Sequence, residues 1–318
     1  MDDLSPSDLK TILHSKRANM YYLEHCRVMQ KDGRVLYLTE TSQKNLYFNI
    51  PIANTTVILL GTGTSLTQAA ARMLCQAGVL VGFCGDGGTP LYMGTEIEWF
   101  TPQSEYRPTE YLQGWLGFWF DENKRLQAAK AMQVVRLNYL RKVWGKDREL
   151  AFADFDARSK AIAKVLDSYE IQVKEAQKTT QLLATEAQLT KQLYKIAAYN
   201  CDISNFVRER ESTDLANSFL DHGNYLAYGL AASTLWVLGI PHGFAVMHGK
   251  TRRGALVFDV ADLVKDAIVL PWSFICAREN ATDQEFRQQC LQAFADHDAL
   301  DTMFDTVKQI SQGEFSTP

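Results

Sequence analysis

The sequence has no long apolar run. No window reaches the roughly 18 uncharged apolar residues that a membrane span needs. The stretch from Met1 to Lys16 is acidic and polar and does not have the charged-then-apolar order of a secretion signal. The expectation is a cytoplasmic protein with no membrane partner. Paired cysteines are also missing. Cys26, Cys75, Cys84, Cys201, Cys276 and Cys290 are scattered without a CxxC pair, which argues against both a zinc ribbon and a disulfide framework. Positive charge is in short supply too. There are 33 Lys and Arg against 37 Asp and Glu, a net charge of −4, and that balance is wrong for a protein that coats nucleic acid through bulk charge. Any nucleic-acid surface must therefore be a local patch.

Internal repeats and low-complexity linkers are absent as well. What is present is an ordinary globular composition, 46% hydrophobic and 22% charged, in a chain of 318 residues. Beyond about 250 residues a chain tends to divide its core, so two domains are expected. Up to about residue 104 the chain reads as short β-rich runs at 20–23, 35–38, 46–48, 57–60 and 79–83. Turn signals at Asp32-Gly33 and Gly85-Asp86-Gly87-Gly88 punctuate them. Within this part Thr64-Ser65 reads as the cap of a helix over 66–74. Beyond Thr101-Pro102 the apolar residues recur at helical spacing, as at Leu126, Val134, Leu137 and Leu140. Helices are expected over 110–144, 156–177, 186–200, 215–238, 259–269 and 283–308.

Three places in the helical part carry residue types suited to a metal. Glu186 precedes Lys191 and Tyr194, and Tyr194 falls near the same helix face. The same glutamate is also explained as a solvent-facing acid in a helix's first turn, where the helix dipole favours it. His248 ends an apolar stretch just before Gly249 and the cations Lys250, Arg252 and Arg253. That places it to meet a phosphate, or else to serve as a core or capping histidine. Finally, Asp259 and Asp262 stand three apart at the end of an apolar run. This spacing fits a ligand pair and equally a helix N-cap with an acid three residues on. A glutamate, an imidazole and an aspartate together make a ligand set for Mg²⁺ or Mn²⁺, with the imidazole favouring tolerance of manganese. The chemistry of such a set is phosphoryl transfer.

Cations for a DNA surface are found along one helical stretch: Lys124, Arg125, Lys130, Arg136, Arg141, Lys142, Lys146 and Arg148. Arg208 and Arg210 follow Phe206. These residues also suit a solvated helix face. As phosphate contacts they would give strongly salt-dependent binding.

Taken in order, Val57-Ile58-Leu59-Leu60-Gly61-Thr62-Gly63-Thr64-Ser65-Leu66-Thr67, Gly78-Val79-Leu80-Val81-Gly82-Phe83, Glu186 with Lys191 and Tyr194, Gly243-Phe244 before His248, and Leu256-Val257-Phe258-Asp259-Val260-Ala261-Asp262 resemble the CRISPR-associated integrase of spacer acquisition. The resemblance runs from Asn19 to Pro271. Thr185-Glu186-Ala187 and Val246-Met247-His248-Gly249-Lys250 look most like its subtype I-F branch.

The resemblance implies an α+β protein: a small N-terminal β-sandwich dimerisation domain over 1–104, then a larger all-α catalytic domain over 105–318. It implies Glu186, His248 and Asp262 as metal ligands, with Asp259 as an accessory acid. The implied reaction is attack of a prespacer 3′ hydroxyl on a repeat phosphodiester in double-stranded DNA. The implied assembly is a homodimer, two of which are bridged by the small adaptation partner, itself fused to a nuclease-helicase in subtype I-F. Two other functions suit the same residues, a structure-specific nuclease that cuts DNA junctions and a non-catalytic scaffold that shapes DNA.

Overall fold

The computed structural model describes residues 17, 19–40, 45–85, 97–102, 108–209, 214–249 and 254–315. The chain divides into two compact units, Met1–Tyr106 and Arg107–Pro318. The first is β-rich and the second helical, so the fold is α+β. Among the described residues no helix is long and apolar enough to cross a membrane.

In the first unit β1 (Asn19–Leu23), β5 (Thr55–Leu60), β7 (Leu80–Phe83) and β8 (Glu98–Phe100) form one sheet in that order. β4 (Asn45–Ile50), β3 (Arg34–Glu40), β2 (Arg27–Lys31) and β6 (Ser65–Leu66) form the other. β5 is buried along its whole length. It runs parallel to both β1 and β7, the setting in which a strand can be apolar on both faces. The β2–β3 hairpin turns on Asp32 and Gly33, with φ of 50° and 70°, the paired positive values that a two-residue hairpin of the favoured twist requires. Val28, Val35, Ile58, Leu60, Leu74, Val79 and Val81 bring both sheets and α1 (Gln68–Gln76) into one core.

The expected start of α1 moves. Thr67 caps it, its hydroxyl accepting from Ala70 N–H at 3.3 Å. Thr64 instead donates to Leu23 O at 3.0 Å, and Ser65 pairs with Arg27 in β6.

The second unit holds α2 (Glu110–Trp119), α3 (Glu122–Lys146), α4 (Arg148–Phe152), α5 (Lys160–Glu175) and α6 (Thr179–Asn200). These are followed by α7 (Leu215–Val237), α8 (Ala255–Ala261), α9 (Lys265–Arg278), α10 (Asp283–Asp296) and α11 (Ala299–Ser311). α3 packs against α2, α5, α6 and α9, and α7 against α8 and α9.

Three expected helices are divided, each by a local cause. The helix over 110–144 breaks at Asp121, whose carboxylate accepts from Asn123 and Lys124 N–H at 2.9 and 3.1 Å and so begins α3 afresh. The helix over 283–308 breaks at Asp298, which is left-handed at φ 55°. The helix over 259–269 breaks at Asp262, the C-cap of α8. By contrast, α6 begins seven residues before Glu186, because Gln181 reaches back to accept from Gln177 and Lys178 N–H at 2.6 and 3.2 Å. Glu186 is thus well past the first turn, and the dipole account of that acid falls away.

The tightest seam in this unit lies between α2 and α11, where a Cβ on Gly114 would stand 1.9 Å from Ser311 O. Gly114→Ala must push backbone against backbone. The expected loss is about 1–3 kcal/mol of stability, read as a lower urea midpoint. An unchanged midpoint would show that the two helices have room to part.

Candidate active site

The loop between α7 and α8 is held down from α2. Trp115 Nε1 donates to Phe244 O at 3.0 Å and Trp119 Nε1 to Ala245 O at 2.7 Å, while the Trp119 ring meets Phe244 edge-on. Fixing those carbonyls turns the next three N–H groups inward, onto Asp259 in the last turn of α8. Val246 and Met247 donate to Oδ2 at 2.7 and 3.1 Å, and His248 N–H donates to Oδ1 at 3.1 Å. His248 Nδ1 adds a fourth contact, to Oδ1 at 2.7 Å, and since a carboxylate only accepts, that nitrogen carries the proton. Asp259 is therefore saturated. It orients the imidazole and leaves Nε2 to face Asp262 Oδ2 at 3.8 Å.

Asp262 arrives by the break after α8, and Lys265 and Asp266 follow it in the first turn of α9. From the other side α3 contributes Arg136, which is 2% exposed. Its Nε donates to Asp266 Oδ2 at 2.9 Å, and Nη2 reaches the same carboxylate. Nη2 also donates to Glu186 Oε1 on α6 at 3.1 Å, and Nη1 stands 3.9 Å from Asp262 Oδ2.

Four carboxylates, Glu186, Asp259, Asp262 and Asp266, thus face two cations, Arg136 and Lys265. Leaving His248 out of the count, four acids against two cations leave two negative charges. Burial alone would push the Glu186 carboxyl up. The charges of Arg136, Lys265 and His248 and the Thr190 hydroxyl outweigh it and bring the pKa down to about 2. Burial lowers His248, yet its bond to Asp259 and the charges of Asp262 and Asp259 leave it raised. Lys265 is likewise lowered by burial and raised overall by its carboxylate neighbours, Asp262 foremost.

Among the described residues no three His, Cys, Asp and Glu side chains stand in a preformed ligand arrangement. Their chemistry nevertheless fits a divalent cation. Neither oxygen of the buried Asp262 carboxylate accepts a well-formed hydrogen bond. Lys265 Nζ lies 2.5 Å from Oδ1, so the carboxylate is balanced by charge without being satisfied in direction. A buried carboxylate left in that state is costly, and the residual charge of the cluster equals that of one such ion.

The structure brings Glu186, His248 and Asp262 together, with Asp259 beneath the imidazole. The capping reading of the two aspartates does not hold. Asp262 ends a helix instead of starting one, and the N-cap of α9 is Val264, which offers no side-chain cap. Of the expected DNA-facing cations, Lys142 is 44% exposed and 3.6 Å from Asp298. Arg208 donates to Asn217 Oδ1 at 2.9 Å and pairs with Asp221. Arg210, Lys250, Arg252 and Arg253 lie outside the described residues. Arg136 does not belong to a solvated face at all, and Arg141 is taken up by Asp167 and Glu170 at 2.6 and 2.7 Å.

Sequence reasoning passed over Lys265, Asp266, Gln133, Thr190, Tyr169 and the two α2 tryptophans. For Arg136 a signal was available. It falls in the apolar stripe Ala129, Met132, Leu137, Leu140 and Val143, where a lone charge needs buried partners.

The family model for CRISPR associated protein Cas1 matches residues 20–309. The CRISPR-associated endonuclease Cas1 of Pseudomonas aeruginosa (strain UCBPP-PA14) is 57% identical over 98% of both chains. That of Pectobacterium atrosepticum is 56% identical over 96% of both. Among solved structures, a Cas1 protein from Thermotoga maritima superposes with a TM-score of 0.71 at 18% identity, over 93% of this chain and 97% of that one. A casposase bound to integration product gives 0.61 at 13% identity, over 87% and 82%. The curated relatives are endonucleases by name. The chain belongs to the Cas1 family, and its likeness to the Pseudomonas and Pectobacterium proteins supports the subtype I-F branch.

Trp119→Phe keeps an aromatic ring against Phe244 and removes the indole N–H bound to Ala245 O along with part of the ring. We expect a loss of about 0.5–1.5 kcal/mol in chemical denaturation. A variant as stable as the parent would mean the loop does not depend on that bond.

Proposed function

We propose that this enzyme joins the 3′ hydroxyl ends of double-stranded prespacer DNA to repeat phosphodiesters by metal-dependent transesterification, and that the same site cuts branched DNA by hydrolysis. One observation carries the reading: Glu186, His248 and Asp262 come from three separate segments and meet in one buried, anionic cluster. The integration product in the similarly folded casposase supports it.

Glu186, His248 and Asp262 would hold the ion, Mg²⁺ or Mn²⁺. When bound, such an ion lowers the pKa of an attacking hydroxyl and offsets charge on the transferring phosphoryl group. The chain's own residues account for the rest. Asp259 keeps the proton on His248 Nδ1, so Nε2 presents a lone pair into the cluster. Lys265 is the cation nearest Asp262 and is placed to counter negative charge on a phosphate entering there. The DNA hydroxyl attacks the repeat phosphodiester directly, the repeat strand's own 3′ oxygen leaves, and no covalent enzyme intermediate forms.

Lys142, Arg208, Arg210, Lys250, Arg252 and Arg253 are the proposed DNA contacts. The proposed assembly is a homodimer formed through the β-rich unit, two copies of which are bridged by the small adaptation partner fused to a nuclease-helicase. A solved Cas6-RT-Cas1–Cas2 complex, one chain of which shares this fold over 35% of its length, supports a Cas2 partner.

Glu186→Ala should lower joining into a supercoiled repeat plasmid by at least about 100-fold, together with a fall in thermal midpoint from the loss of a partner to Arg136; Glu186→Gln, which keeps an oxygen for Arg136, should lose joining with a smaller fall. Chelation should abolish joining, and added Mg²⁺ or Mn²⁺ should restore it. Intact joining in these variants would favour the DNA-shaping scaffold, and cut products without joined ones would favour the junction nuclease.

A further inference from the structure

An arginine buried in mid-helix loses its hydration and is tolerated only with close partners. Arg136 has them in a particular order. Asp266 Oδ2 takes Nε and Nη2 together, so the guanidinium's own fork closes on a single carboxylate oxygen. Nη1 donates to Gln133 Oε1 at 3.2 Å. That oxygen also accepts from Tyr169 OH on α5 at 2.6 Å, while Gln133 Nε2 contacts Met247 Sδ at 3.4 Å, one residue before His248. One side chain therefore ties α3, α5, α6, α9 and the histidine loop to a common point.

The bonds it makes are selective. Nη2 donates to Oε1 of Glu186, and Thr190 Oγ1 donates to that same oxygen at 3.0 Å, so Oε2 carries neither bond. Nη1 approaches Asp262 only to 3.9 Å, which attracts the carboxylate without occupying it. His248 shows the same pattern, with Nδ1 tied to Asp259 and Nε2 spare. Glu186 and His248 are each held through one atom and leave another for a ligand, while Asp262 has Oδ1 beside Lys265 and Oδ2 unoccupied.

We propose that Arg136, anchored by Asp266, is a positioning residue that orients Glu186 and Asp262 so that their unused oxygens and His248 Nε2 receive one divalent cation. This rests on the function proposed above. The cation on Arg136 by itself opposes a second cation. Asp266 offsets that repulsion, so the pair supplies geometry without removing the negative charge that attracts the ion.

Two variants separate geometry from charge. Arg136→Lys keeps the charge and loses the fork. Asp266→Asn keeps the volume and leaves Arg136 unneutralised, and it serves if the lysine variant does not fold. Mn²⁺ binding by the full chain, without DNA, is followed by the electron paramagnetic resonance signal of free aqueous Mn²⁺, with Glu186→Ala alongside.

We expect each folded variant to bind Mn²⁺ about 10–100-fold more weakly than the parent chain. The Mn²⁺ concentration for half-maximal joining should rise by a similar factor. Parent-like or tighter binding in both variants, even with lowered thermal midpoints, overturns the positioning role. If Glu186→Ala loses the ion while both variants keep it, only this inference falls. If Glu186→Ala binds Mn²⁺ as the parent does, the proposed ligand set fails and the positioning role goes with it.

Discussion

A guanidinium enclosed by carboxylates in the middle of a helical core imposes its requirements on everything around it. Arg136 must be neutralised where it lies, because removing it from water costs several kcal/mol unless partners replace the lost hydration. Asp266 and Glu186 meet that demand directly, and Asp262 at longer range. To bring those acids within reach, α6 and α9 must both pack on α3. The stretch between α8 and α9 must also break, so that Asp262 turns inward.

A second constraint is set on the opposite wall. A loop that crosses buried ground needs partners for its N–H groups, and here a single carboxylate serves three in succession. Asp259 thereby fixes the loop and the imidazole at once. The accessory acid implied by the resemblance spends its capacity on the loop's N–H groups and on the histidine together. The tryptophans of α2 complete the arrangement from behind, taking the carbonyls that face away from Asp259.

Much of this was legible in the chain before any coordinates. β5 announced itself as a continuous apolar run, Asp32-Gly33 as a hairpin turn, and the helical unit by its spacing. Glu186, His248 and Asp262 could be named because ordered motifs resemble those of one family. Periodicity does not register where a helix is interrupted by one capping side chain. Asp121 and Asp298 look like ordinary polar positions until their own bonds or backbone angles are seen. The cysteines illustrate the converse. Their scatter predicted unpaired thiols; all six are free, and burial pushes Cys201 and Cys276 up to about 11 and 12, which leaves them unreactive.

The sequence by itself determined the division into a β-rich and a helical part, the identity of most elements, and the residue types available for chemistry. These follow from local patterns of two or of three to four residues. Which cations belong to the site was decided only in three dimensions. Arg136 and Arg141 lie five residues apart on one helix, yet the first is sealed among acids while the second sits part-exposed between two carboxylates of α5. The difference is one of helix face and of what packs there. It depends on contacts between residues as much as 130 positions apart in the chain, which no local pattern encodes.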